Sequence, residues 1–188
     1  MFPAAATPSE DAFAETSHEN DWVRWLLSSV RARTETLLVG DDDWTSFARS
    51  LLPQTIGPVL RHAWLAAHAG DLSQLIALDE HISARLSTIQ SARSLRAGAV
   101  LLKSTRHARY QGVLGRLREA TGQNLCRGHI VIVWPAVAHF FQLGLTSAVA
   151  EYLRLEWDIH SRERLPWTLP APPHSITALT RRVLRAAD

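Results

Sequence analysis

Arg61-His62-Ala63-Trp64-Leu65-Ala66-Ala67-His68-Ala69-Gly70-Asp71-Leu72 decides how the rest of the chain is read. Four of its first nine residues are alanine, the best helix former. Gly70 then suits a helix C-terminal cap, where a left-handed residue is needed and glycine carries no Cβ to obstruct it. Asp71 suits the N-cap of a following helix, because its carboxylate can accept from a free backbone N–H. Pro58, upstream, fits a first turn, where its missing N–H costs nothing. The segment reads as helix, stop, helix.

The same pattern extends downstream. Leu72, Leu75, Ile76, Leu78 and Ile82 form the apolar stripe of the next helix. The pattern bends or restarts near Ser87 and resumes with Leu95, Ala99 and Leu102. Tyr110 to Ala120 carries Val113, Leu114 and Leu117, and Gly122 ends it. Ile130-Val131-Ile132-Val133 is the one run that favours a strand locally. A lone strand has nothing to pair with, so tertiary context is expected to make it helical. Pro135 is expected early in an apolar helix holding Val137, Phe140, Phe141 and Leu143, ended by Gly144. Ser147 is the expected cap of the next helix, with Val149, Tyr152, Leu153 and Trp157. Four prolines in residues 166–173 mark a loop, and Ser175 is placed to cap a last helix with Ile176, Leu179, Val183 and Leu184.

Upstream, residues 1–20 are acidic and poor in burial candidates, and read as a disordered tail. Trp22, Trp25, Leu26 and Val30 recur at helical steps from about Asp21. Gly40 and Asp41-Asp42-Asp43 end that helix, with Asp43 as N-cap of a short one bearing Trp44, Phe47, Leu51 and Leu52, which Pro53 is expected to close. The expectation is an all-α, single-domain bundle of about eight helices over residues 21–188.

At 188 residues the chain can bury a core, and its 46% hydrophobic and 20% charged residues are ordinary for a globular protein. A single cysteine, Cys126, excludes an internal disulfide. No apolar run approaches the roughly 20 residues of a membrane span, and no basic region precedes an apolar stretch at the N-terminus. A cytoplasmic protein is the expectation. Net charge is +2 but unevenly spread: residues 1–84 hold 5 basic and 12 acidic groups, residues 85–188 hold 15 and 6. Such asymmetry marks either a partner surface or two parts that face each other within one fold.

No phosphate-cradling glycine loop and no Gly-x-Ser-x-Gly elbow occurs. Cys126 and His129 have a spacing that could clip a transition metal, but two ligands are too few, and a loop cysteine with a loop or helix-cap histidine accounts for them. His62 and His68 do not share a helix face well, and His139, between Ala138 and Phe140, reads as a satisfied buried histidine. Asp79 and Glu80 point about 100° apart on a helix. They are poor acid–base partners, and a solvated face accounts for them. Arg93, Arg96, Lys103, Arg106, Arg109, Arg116 and Arg118 form the strongest charge signal. They make an arginine-rich helical nucleic-acid-binding regulator the alternative function, although only Tyr110 is at hand as an aromatic platform.

In sequence order, Ala69-Gly70-Asp71-Leu72, Leu78-Asp79, Thr88 ten residues before Gly98, Leu101-Leu102, His129 to Trp134, Leu143-Gly144 and Ala150-Glu151-Tyr152-Leu153 resemble the urease accessory proteins of the UreF type. The order and spacing carry the resemblance over about half the chain. The chain departs from the family where Glu-Leu-Arg reads Ile89-Gln90-Ser91, and where the glycine after the aromatic is Pro135. The resemblance implies an all-α, non-enzymatic scaffold or chaperone of the cytoplasm, with no cofactor and no metal ligand of its own. It implies binding to a nickel-carrying GTPase and a second accessory protein, through them to the urease apoprotein, in nickel insertion. Homodimerisation is also implied, and membrane binding is not. On this reading Trp134 and Tyr152 are candidate partner-interface residues, with core packing the other reading of each.

Overall fold

The computed structural model describes residues 19–33, 44–106, 112–164 and 174–185. Its centre is the segment with the strongest local preference for a strand. Ile130–Phe140 is a helix, α7, and every residue from Ile130 to Ala138 is buried. A helix apolar on all sides is stable only when surrounded, and α7 is packed by α3 (Gly57–Ala69), α4 (Leu72–Ser83), α5 (Thr88–Ser104), α6 (Gly112–Gly122) and α8 (Leu145–Arg164). Burial therefore overrides the β-branched preference, as expected. Pro135 lies well inside α7 rather than early in it, because Ile130 has already begun the helix.

The outer helices complete the bundle. α1 (Glu19–Arg31) lies on α5 and α8, and α9 (Ile176–Arg185) lies on α8, α3 and the segment before α3. Counting Trp44–Ala69 as one continuous rod, the described residues hold eight helices and no strand. The all-α bundle is thus the observed fold. α1 begins at Glu19, inside the stretch expected as tail. The remainder of that stretch, the Asp41-Asp42-Asp43 cap and the proline loop lie outside the described residues.

Three expected boundaries are corrected. Pro53 does not close a helix. The chain runs through α2 (Trp44–Ser46) into a π-helical segment, Phe47–Ile56, and on into α3. In π geometry a backbone N–H bonds the carbonyl five residues back, and Gly57 does so to Leu52. Pro53 has no N–H to give Ala48. The Ala48 carbonyl accepts instead from Arg182 Nη1 of α9, at 3.3 Å. α9 can come this close because Gly57 lacks a side chain: a Cβ there would meet the Leu52 carbonyl oxygen at 2.8 Å and Val183 at 3.0 Å. The second is α7, which ends at Phe140 rather than at Gly144, because Gln142 turns to φ 60° and the Leu143 N–H closes back on the Ala138 carbonyl at 2.9 Å, leaving Phe141 and Leu143 outside the helix. The third is α8, which starts at Leu145, ahead of the expected cap at Ser147.

The opening segment folds as read. Gly70 has φ 71°, its N–H bonds the Ala67 carbonyl at 3.1 Å, and the Asp71 N–H bonds the Ala66 carbonyl at 2.8 Å. This paired pattern ends α3. Asp71 Oδ1 then accepts from the Gln74 N–H at 2.9 Å and starts α4. Ser87 starts α5 with a reciprocal capping box to Gln90.

Candidate functional site

Asp79 is 1% exposed, although its sequence neighbours suggested a solvated face. Its carboxylate accepts three backbone N–H groups from the loop between α6 and α7: Arg127 at 2.6 Å and Gly128 at 3.2 Å on Oδ2, and His129 at 2.9 Å on Oδ1. A buried carboxylate needs such compensation. The correction is tertiary in origin, since the partners lie 48 to 50 residues further along the chain. Glu80, the adjacent acid, is exposed.

The loop that meets Asp79 is shaped by two glycines. Gly128 has φ 81°, a backbone that side chains rarely adopt. Gly98, on α5, faces it so closely that a Cβ would lie 1.9 Å from the Gly128 carbonyl oxygen. His129, fully buried, N-caps α7, and its Nε2 lies 2.8 Å from Ser83 Oγ. Ser83 donates its one hydroxyl proton to the Asp79 carbonyl at 2.8 Å. Ser83 Oγ must therefore accept from His129, which fixes the imidazole proton on Nε2. Nδ1 is left as a buried acceptor without a hydrogen-bond partner. Burial lowers the His129 pKa, with Arg127 adding to the effect and the Asp79 charge opposing it.

Cys126 completes this corner. Its thiol is buried and its pKa is pushed up to about 12, first by burial and then by the Asp79 charge. Such a thiol is a poor nucleophile and a poor ligand at neutral pH. A groove of about 510 Å³ runs beside the clamp, lined by Ile76, Glu80, Ser83, Leu125 and Arg127 among others. Leu125 stands 61% exposed at its edge. Among the described residues no three histidine, cysteine or acidic side chains converge as a metal site would need.

The histidines fall elsewhere than read. His129 is the enclosed one, while His139 is only partly buried and forms a corner with Trp64 and His68. Trp64 stacks on His68 with ring centres 5.1 Å apart and planes at 8°, and its indole N–H donates to the Leu143 carbonyl at 3.2 Å. His68 and His139 have ring centres 5.2 Å apart and planes at 83°. Burial, then the nearby His68, lowers the His139 pKa.

Trp134 and Tyr152, the candidate interface residues, are both 0% exposed. The Trp134 indole donates to the Ala148 carbonyl at 2.8 Å, and the Tyr152 hydroxyl donates to Glu156 at 2.9 Å. In this structure both are buried; the Trp134 bond ties α7 to α8, the Tyr152 bond lies within α8, and neither presents side-chain surface. Of the basic set, Arg116 donates to the Gly70 carbonyl at 2.7 Å and pins the α3–α4 junction. Arg93, Arg96, Arg106 and Arg118 also have partners within the chain, and Arg109 lies outside the described residues. No helix among the described residues is long and apolar enough to cross a membrane.

The residues on which the family resemblance rests thus occupy connected positions. Gly70-Asp71 turns α3 into α4, Asp79 holds the entry to α7, Gly98 lets that entry approach, and His129 and Trp134 begin the central helix. No curated protein and no solved structure matches the chain significantly. The UreF family model matches residues 43–155, more than half of the chain and all of the region just described. The chain belongs to the UreF family of urease accessory proteins.

Proposed function

We propose that the protein acts in urease maturation as a non-catalytic scaffold. It binds a nickel-carrying GTPase and a second accessory protein, and through them meets the urease apoprotein. The observation that carries this reading is the match over residues 43–155. It is supported by how the reactive side chains are used. Asp79, Ser83 and His129 are engaged with backbone and with each other, and the Cys126 thiol is held protonated. A core organised in this way offers its exterior to partners rather than a reagent to a substrate.

The test is co-purification of the tagged chain with the GTPase and the second accessory protein of a urease system, followed by size-exclusion chromatography. A ternary complex is the expected result. Failure to retain either partner, with the chain folded by circular dichroism, overturns the scaffold reading.

A further inference from the structure

We propose that the outer face of α5 docks an acidic amphipathic helix of a partner protein. α5 buries Ala97, Gly98, Leu101 and Leu102, on the side that packs against α7. On the opposite side Ile89, Ala92, Arg96, Ala99 and Lys103 are exposed at steps of three and four residues, and Arg106 continues the register just past the helix end. From Ile89 to Lys103 the face runs about four turns, or about 20 Å. An unbroken three-and-four spacing is the seam along which one helix receives another. Ile89, 55% exposed, and the two alanines are its apolar positions, and the alanines leave room for large partner side chains.

Charge says what the partner must carry. Between Glu80 and Glu119 the sequence has eight basic residues and no acidic one. No acid therefore lies three or four positions from Arg96 or Lys103, where helical pairing would place it. Lys103, in the last turn, complements the helix dipole, whereas Arg96, in mid-helix, does not. Arg96 has a contact within the chain and is still exposed. A seam of one charge sign repels a second copy of itself and attracts an acidic helix, whose carboxylates meet Arg96 and Lys103 while its leucines cover Ala92 and Ala99. A phosphate backbone is drawn by the same charges but leaves Ile89, Ala92 and Ala99 uncovered, so the interleaving of apolar and basic positions favours the helix.

The surface is independent of the scaffold reading, since the test objects are the purified full chain and a synthetic peptide. The probe is a fluorescein-labelled helical peptide of about three heptads, with Glu at every a and Leu at every d position. Its fluorescence anisotropy is followed as the chain is added. The expected result is saturable one-to-one binding that weakens as salt rises from about 0.05 M to about 0.5 M. A scrambled peptide of the same composition, whose Leu and Glu share no face, should bind at least about tenfold more weakly. The double variant Arg96→Glu/Lys103→Glu should weaken binding at least about tenfold by bringing like charges together. Ala99→Gln should weaken it roughly threefold or more by filling the seam. Arg181→Glu, a charge reversal on the exposed side of α9, should leave it unchanged. Melting curves of the variants confirm that they fold. Equal binding of the two peptides, binding unmoved by Ala99→Gln, or tighter retention of a DNA duplex than of the peptide overturns the proposal. So does a dimer of the chain that Ala99→Gln dissociates, because a second copy then covers the face.

Discussion

Replacing Asp79 with asparagine changes one atom and tests whether the α4 clamp holds the centre of the bundle. The carboxylate accepts two N–H groups on one oxygen and one on the other. An asparagine has a single acceptor oxygen. If that oxygen takes the Arg127 and Gly128 donors, the amide NH2 faces the His129 N–H, which lay 2.9 Å from its acceptor. One buried donor is orphaned, at about 1–3 kcal/mol. The other two bonds lose their charge assistance, at about 0.5–1 kcal/mol each. The sum is about 3 kcal/mol. For a chain of this size each kcal/mol lowers the melting temperature by about 2–4 °C, so Asp79→Asn should melt about 6–12 °C lower. Asp79→Ala, which orphans all three donors, should fall at least as far. Glu80→Gln, at the exposed neighbour, should stay within about 0.5 kcal/mol of the parent. Thermal unfolding by far-UV circular dichroism gives the shifts, and amide exchange at Arg127, Gly128 and His129 locates them. Equal melting of Asp79→Asn and Glu80→Gln would refute the clamp.

Three other outcomes are expected. Gly98→Ala drives a methyl into the Gly128 carbonyl oxygen, with 1.9 Å between them, and should cost at least about 1–3 kcal/mol by overpacking, read from urea unfolding. Gly122→Ala, where a Cβ meets nothing within 4 Å, is its control. Cys126 should resist a thiol reagent at mildly alkaline pH, because its thiol is buried and titrates only near pH 12, and should react with one equivalent in denaturant. Stability should fall as pH drops from about 6.5 toward 5: below its ordinary value of 6.5 the unfolded His129 takes up a proton that the buried, neutral His129 refuses. His129→Gln should shrink that acid loss in urea titrations at the two pH values.

What was legible in the sequence was local. Gly70-Asp71 announced a stop and a start, because both caps are satisfied within five residues of chain. The helical state of Ile130–Val133 followed from the lack of any strand to pair with it. What failed depended on distant contacts. Asp79 beside Glu80 looks like any surface pair, and nothing near it in sequence reveals that the α6–α7 loop will deliver three donors to it. Pro53 looks like a terminator until α9 supplies the missing bond. Trp134 and Tyr152 could be read from sequence either as interface anchors or as core, and only the packing shows that their polar atoms find partners inside the bundle. His68 and His139 are far apart in sequence, and only the packing of α3 on α7 makes them neighbours.

The Arg182–Ala48 hydrogen bond spans 134 residues. It means that an irregular turn in one stretch of the polypeptide is completed by a donor synthesised 134 residues later. Until that arginine emerges, the Ala48 oxygen must be satisfied by water, and the widened coil around Pro53 has no reason to prefer its final winding. Deleting Ile176–Arg185 would therefore do more than remove one helix: it would unsettle a rod whose own residues were all left intact.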